Sequence, residues 1–110
     1  MCGIFAILNN TTFSNPYLKA QFELGKSRGP EHSSLENIND ILFGFHRLAI
    51  NGLNKESNQP FQLDDCVLIC NGEIYNYKQL YSMFNITPNT MSDCEIIIHM
   101  YIFIEIFNMC

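Results

Sequence analysis

The stretch MCGIFAIL, residues 1–8, places a small nucleophilic residue at position two with an apolar run directly behind it. Such a run, ended by Asn9, is typical of a buried strand, so we predict a strand over Gly3–Leu8. Removal of Met1 would leave Cys2 with both a free α-amine and a thiol. Their reference pKa values are about 7.7–8.0 and about 8.5, so the amine can accept the thiol proton near neutral pH. Cys2 is therefore a candidate N-terminal nucleophile, although a chance cysteine would look the same at this single position.

The composition narrows the class of protein. With 110 residues and 47% hydrophobic content, the chain has room for one small folded domain. Its net charge of −5 and its six Lys and Arg residues predict no nucleic-acid partner, because phosphate binding needs clustered cations. The start of the chain lacks the pattern of a secretory leader, which predicts a cytoplasmic protein whose five cysteines are thiols. The irregular spacing of Cys and His predicts no metal site.

The remainder of the chain alternates apolar runs with turn residues. We predict further strands over 41–50 and 66–70, where branched and aromatic residues dominate. Loops are predicted over 27–34 and 51–61, which are rich in residues that favour turns. A short helix is predicted after Asn76.

Two longer helices complete the prediction. The first covers 16–25, with Asn15 as its N-cap and proline at the first helical position. The second runs over 93–107 and begins with a capping box formed by Ser92 and Glu95. It is apolar nearly all round, which indicates burial on more than one face. Charged residues interrupt it and it is too short to cross a bilayer, so we predict no membrane span.

Polar residues follow or precede these apolar elements at Cys2, Arg47, the turn 71–73 and Asp93. If they converge, they form a pocket with a cation for a carboxylate, anions for an ammonium group and a nucleophile for an amide. Glutamine is a molecule that carries a carboxylate, an ammonium group and an amide. Asn71 could supply a side-chain donor and Gly72 a backbone N–H to an oxyanion hole.

Each of these residues also has an ordinary structural explanation. Arg47 could form a salt bridge at the strand edge, and Asn-Gly suits a tight turn. Asp93 could complement the start of a helix. His46 and His99 are flanked by apolar residues, and we predict that they lie in the core without a catalytic role.

Six segments in a defined order carry a resemblance: MCGIFAIL at 1–8, RGPE at 28–31, FGFHRLAI at 43–50, QP at 59–60, NGEIYNY at 71–77 and SDCEIIIHMY at 92–101. Together they resemble the class II glutamine amidotransferase domain that begins glutamine-dependent asparagine synthetases. The chain departs from that family in two places, with RGPE for the usual RGPD and HRLAING for HRLAIVD. MCGI alone is shared with other N-terminal-nucleophile amidotransferases, which feed other ammonia acceptors and remain an alternative.

The resemblance implies an α+β fold, part of the αββα sandwich of N-terminal-nucleophile hydrolases with mostly antiparallel sheets. Residues 1–110 would be a truncated amidotransferase domain covering the first half of that sandwich, with no synthetase domain. Half a sandwich would leave the faces of its strands and of the 93–107 helix exposed, which a monomer tolerates poorly. A homodimer or a complementary chain is therefore expected.

The resemblance also assigns roles to residues. It implies that Cys2 is the nucleophile with its own α-amine as base, and that Asn71 and Gly72 form the oxyanion hole. The residues implied to bind L-glutamine are Arg47, Leu48, Ala49, Ile50, Asn51, Asn71, Gly72, Glu73 and Asp93. The implied reaction is hydrolysis of glutamine to glutamate and ammonia through a thioester on Cys2, for asparagine synthesis. No cofactor is expected in this chain, since ATP and Mg²⁺ would belong to the synthetase domain. The alternative is an inactive remnant or an interaction module.

Overall fold

A computed structural model describes residues 1–50 and 52–109 as an α+β fold with antiparallel sheets, which confirms the predicted class. The strands are β1 (Gly3–Leu8), β2 (His32–Ile38), β3 (Ile41–Arg47), β4 (Phe61–Leu63) and β5 (Cys66–Leu68). The α-helices are α1 (Asn15–Glu23), α2 (Tyr77–Met83) and α3 (Ile96–Asn108). Short 3-10 turns cover Lys26–Arg28, Lys55–Ser57 and Asp93–Glu95. The chain divides into two compact units, Met1–Ala49 and Ile50–Cys110.

The first unit is built on a three-stranded sheet in the order β1-β3-β2. Helix α1 covers one face of this sheet, and the Phe22 ring lies over Gly44 and stacks on the His46 ring with centroids 4.0 Å apart. A Cβ at Gly44 would lie 2.7 Å from the Phe22 ring, so only glycine permits this approach. In the register, Gly3 pairs with His46. The start of β1 and the end of β3 therefore lie together at one end of the sheet.

Several predictions for this unit need correction. β1 has the predicted bounds but is not fully buried, because α1 packs on the face that carries Phe5, and Ile4 and Leu8 on the other face are 52% and 62% exposed. The N-cap of α1 is Ser14, whose hydroxyl accepts from Tyr17 N, and not Asn15.

The loop predicted over 27–34 is also partly wrong. Its last residues, from His32, begin β2, because they pair with the central strand β3. The local sequence pattern favoured a loop at residues 32–34, since HSS has no alternation of apolar and polar residues. The strand predicted over 41–50 ends earlier, at Arg47.

The second unit contains the hairpin β4-β5 and helix α3, which share a core of Phe61, Cys94 and Ile98. Helix α3 follows a 3-10 turn and begins at Ile96. Its first turns are buried, whereas Ile104, Ile106 and Phe107 are 51%, 59% and 70% exposed. The prediction of burial on several faces thus holds for the start of the helix, and the apolar side chains of its second half are exposed. Within the described residues, no helix has the length and apolar character needed to span a membrane.

Candidate active site

Cys2 lies immediately before β1 and is tied to the residue that follows β3. Its Sγ donates a hydrogen bond to Leu48 O at 3.4 Å and accepts one from Leu48 N at 3.3 Å. The thiol is half-buried. The antiparallel register of β1 and β3 thus brings the predicted nucleophile beside the segment 47–49, which the family resemblance implied to bind the substrate.

The RGPE segment lies against the same end of the sheet. Arg28 Nε donates to Cys2 O at 3.2 Å, and Pro30 forms a bridge with Arg47. Gly29 is buried so closely that a Cβ there would overlap the backbone of His46 and Arg47. This segment carried part of the resemblance without an assigned role, yet the side chains of Arg28 and Glu31 contact predicted site residues.

The segment after β3 holds the predicted glutamine-binding residues of this unit. Arg47 is the last residue of β3 and only 7% exposed, whereas Leu48 and Ala49 are half-buried. Ala49 N donates to Glu31 Oε2 at 2.5 Å. Of the other two predicted residues, Ile50 is 60% exposed and Asn51 lies outside the described residues.

In the second unit, the predicted turn and the predicted helix start are held together. Asp93 is 6% exposed, and its Oδ2 accepts a hydrogen bond from Ile74 N at 2.6 Å. The thiol of Cys94 donates to Gly72 O at 3.3 Å. These two bonds fix the turn after β5 against the start of α3, so that Asn71, Gly72 and Glu73 form an exposed bend beside Asp93.

The glycine in this bend is not demanded by the fold. Its φ is not positive, and a Cβ would meet Cys70 Sγ at 4.0 Å, an ordinary contact. Among the residues that the structure describes, no group accepts a hydrogen bond from the Gly72 N–H. An exposed N–H with no Cβ beside it is suited to donate to a ligand, as the sequence predicted for the oxyanion hole.

Glu95 fixes the loop that precedes Asp93. Its buried carboxylate accepts from the backbone N–H of Asn89 and Thr90, from the Thr90 hydroxyl and from His99 Nε2, at 2.6–3.0 Å. Burial alone would raise the pKa of Glu95, but the bonds from Thr90, His99 and Asn89 outweigh it and lower the pKa below its usual value. The predicted capping box differs here, because Glu95 reaches Asn89 and Thr90 instead of the Ser92 N–H.

We expect Glu95→Gln to destabilise the chain by about 1–3 kcal/mol at pH 7, because the ionised acceptor is lost. A carboxyl whose pKa is lowered in the folded state stabilises that state above its unfolded pKa, and this contribution is lost as the pH falls through the lowered value. The difference in unfolding free energy between parent and variant should therefore shrink below about pH 4.5. Urea unfolding at several pH values measures this difference, with Glu105→Gln, at an exposed position of α3, as control. A difference that is independent of pH would contradict this role.

Two tyrosines of the second unit have raised pKa values. A hydrogen bond to Glu73 and the charge of that carboxylate raise the pKa of the exposed Tyr75. Burial, followed by the charge of Glu95, raises the pKa of Tyr81. Both phenols therefore stay protonated at neutral pH, and neither can act as a general base there.

Both histidines that the sequence assigned to the core are held by neighbouring groups. His46 Nε2 donates to Phe22 O at 2.8 Å, since a carbonyl can only accept, and Nδ1 lies 2.7 Å from Ser33 Oγ. His99 contacts Glu95, and its ring lies nearly perpendicular to the Tyr81 ring with the centroids 5.8 Å apart. Within residues 1–50 and 52–109, no group of three His, Cys, Asp or Glu side chains is placed to hold a metal ion.

Comparison with protein families shows to which of the candidate classes this chain belongs. Residues 1–104 match the family model described as glutamine amidotransferase domain. The chain belongs to this family. The match covers both units and every predicted site residue, and the antiparallel sheets and helices are consistent with part of an N-terminal-nucleophile hydrolase fold.

The amidotransferase chain is also similar to part of much longer curated proteins. It is 38% identical over 111 residues to "Asparagine synthetase [glutamine-hydrolyzing] 2" of Bacillus subtilis, covering 92% of this chain and 14% of that protein. It is 35% identical over 107 residues to "Asparagine synthetase [glutamine-hydrolyzing]" of Gallus gallus, covering 92% of this chain and 19% of that protein. The chain thus spans a fifth or less of the length of these relatives.

Proposed function

We propose that this chain provides the glutamine-hydrolysing site of an asparagine-synthetase-type enzyme, converting L-glutamine to glutamate and ammonia at Cys2. The observation that carries the proposal is the Cys2 thiol, held by two hydrogen bonds to Leu48 beside the buried Arg47. The amidotransferase family match and the printed names of the relatives support the same reaction. A thiol, a cation and exposed donors are the groups that amide hydrolysis of an amino acid requires.

The first step of the proposed reaction occurs at Cys2 after Met1 has been removed. The freed α-amine takes the thiol proton, and the Leu48 N–H that donates to Sγ stabilises the thiolate. The sulfur then forms a bond to the side-chain carbonyl carbon of glutamine, and the π electrons of the carbonyl move onto its oxygen. Met1 is 74% exposed, which leaves it accessible to an aminopeptidase.

The second step releases ammonia. We assign the stabilisation of the tetrahedral oxyanion to the Asn71 side-chain amide and the Gly72 N–H. The carbon–nitrogen bond breaks as the protonated α-amine gives its proton to the leaving nitrogen. Water, deprotonated by the same amine, then attacks the thioester, and the sulfur leaves to regenerate the thiol and release glutamate.

We assign substrate recognition to charged side chains. Arg47 would bind the α-carboxylate, for which a guanidinium offers paired donors, and the segment 48–51 would line the pocket. Glu73 and Asp93 would bind the α-ammonium group. Asp93 already accepts from Ile74 N, and an ionised carboxylate retains further acceptor positions.

The fate of the ammonia follows from the names of the relatives. We propose that it is consumed in asparagine synthesis, in a step that belongs to a synthetase domain using ATP and Mg²⁺. None of the steps assigned to this chain uses either cofactor.

We expect Arg47→Ala to raise the glutamine KM by roughly 10- to 100-fold, because it removes a charge-assisted contact to the substrate carboxylate. Steady-state release of glutamate measures the change. Arg47→Lys keeps the charge but not the paired donors, so its KM should be intermediate. The exposed Lys19→Ala on α1 is the control for loss of a cation. An unchanged KM in Arg47→Ala would remove Arg47 from the substrate site.

A further inference from the structure

Glu31 contacts the segment that follows β3 at two points. Its backbone N–H donates to Arg47 O at 3.2 Å, and its carboxylate Oε2 accepts from Ala49 N at 2.5 Å. The residue between them, Leu48, directs its own N–H and C=O to the Cys2 thiol. In an extended chain, the peptide groups of successive residues point to opposite edges. Segment 47–49 is therefore held on one edge by Cys2 and on the other by Glu31.

The pairing of the strands explains why a side chain, and not a backbone carbonyl, accepts from the Ala49 N–H. The pairing of β2 with β3 ends at His32 and Arg47, and the chain then reaches Glu31 and Pro30. Continued antiparallel pairing would give the Ala49 N–H a backbone acceptor near Pro30. Pro30 instead forms a parallel bridge with Arg47, and the Glu31 carboxylate accepts from Ala49.

We propose that Glu31 is a positioning residue for the proposed glutaminase reaction. By holding the backbone of Arg47 and Ala49, it keeps Leu48 against the Cys2 thiol and fixes the strand end that carries Arg47. It does not touch the substrate and acts through these residues. The inference rests on the proposed function for its effect on activity, but the contact to Ala49 can be tested without it.

The first measurement is amide hydrogen exchange in the full chain. In Glu31→Ala, the Ala49 N–H loses its acceptor, and its exchange should accelerate roughly 10- to 100-fold. Glu31→Gln keeps an acceptor oxygen at the same reach and should restore exchange to within about threefold of the parent. The Phe45 amide in the middle of β3 is the internal reference for general loosening of the sheet, and Glu36→Ala, an exposed substitution on β2, is the matched control.

The second measurement is the rate at which a glutamine-mimicking diazoketone alkylates Cys2, followed by intact mass. We expect Glu31→Ala to slow alkylation by roughly tenfold, with Glu31→Gln and Glu36→Ala close to the parent. Unchanged Ala49 exchange in Glu31→Ala would overturn the inference. Faster exchange with an unchanged alkylation rate would overturn the positioning role. Equal acceleration at Ala49 and Phe45 would also overturn it, because the effect would then be general destabilisation.

Failure of the proposed function would have a different signature, namely a parent chain that the diazoketone does not alkylate. In that case iodoacetamide, which needs no glutamine site, replaces it as the probe of Cys2. The inference would be supported if the rate of Cys2 alkylation by iodoacetamide in Glu31→Ala differs from the parent's rate by more than about threefold and Glu31→Gln restores the parent's rate. Equal rates in the parent and in Glu31→Ala would overturn it.

Discussion

Replacement of Cys2 by alanine is expected to abolish glutaminase activity, lowering kcat by about 10⁴-fold or more, to the limit of detection. The thioester forms on the Cys2 sulfur, and the sequence has no other cysteine before Cys66. The α-amine remains in the variant but has no thiol to activate. The measurement is release of glutamate and ammonia from glutamine by the purified chain.

The fold should survive this substitution. The Cys2 thiol is half-buried and makes two weak sulfur hydrogen bonds to Leu48, so we expect the unfolding free energy to change by no more than about 1 kcal/mol. Cys66→Ala, which removes a thiol of β5, is the matched control and should keep the parent's activity. Activity that persists in Cys2→Ala would show that the nucleophile lies elsewhere.

The second large effect is expected at Asn71. Asn71→Ala should lower kcat by about 10²–10³-fold with a much smaller change in glutamine KM, since an oxyanion donor acts mainly on the transition state. Asn71 is exposed in the bend after β5, so truncating its side chain should leave the thermal unfolding midpoint close to that of the parent.

The control for this prediction is a nearby asparagine of the same unit. Asn76 is also exposed and occupies the N-cap position of α2 without a side-chain hydrogen bond. We therefore expect Asn76→Ala to keep both kcat and KM. If Asn71→Ala behaves like Asn76→Ala, the oxyanion hole does not include the Asn71 side chain.

Much of the first unit could be predicted because its apolar runs are strong and local. The runs at 3–8 and 41–50 predicted β1 with its observed bounds and β3 with its observed start, although β3 ends at Arg47 and not at Ile50. β2 was missed because HSSLENI owes its strand structure to pairing with β3, a long-range interaction without a local pattern. The same cause hid Glu31, whose contact to Ala49 arises only after β2 and β3 have paired.

In the second unit, prediction from the sequence was limited by the conformation of the loops. The sequence placed polar residues after β5 and before α3, and the structure joins them through Asp93 and Ile74. The capping box was predicted from spacing alone, but Glu95 turns to Asn89 and Thr90, whose N–H groups lie within its reach. Spacing indicates that an acceptor is near a helix start, whereas the loop conformation decides which donors it meets.

Burial of the apolar elements depends on what packs against them. Within the described residues, α3 is covered over its first turns and exposed at Ile104 and Phe107, although both halves are equally apolar in sequence. Periodicity cannot separate these halves, because the helix is apolar nearly all round.

The central claim is that Cys2 becomes an N-terminal nucleophile in a working glutamine site. The most direct test is the intact mass of the purified chain before and after incubation with the glutamine-mimicking diazoketone. We predict a chain that lacks Met1 and gains a single adduct, which peptide mapping places on Cys2. A chain that retains Met1, stays unmodified or carries its adduct on another cysteine would contradict it.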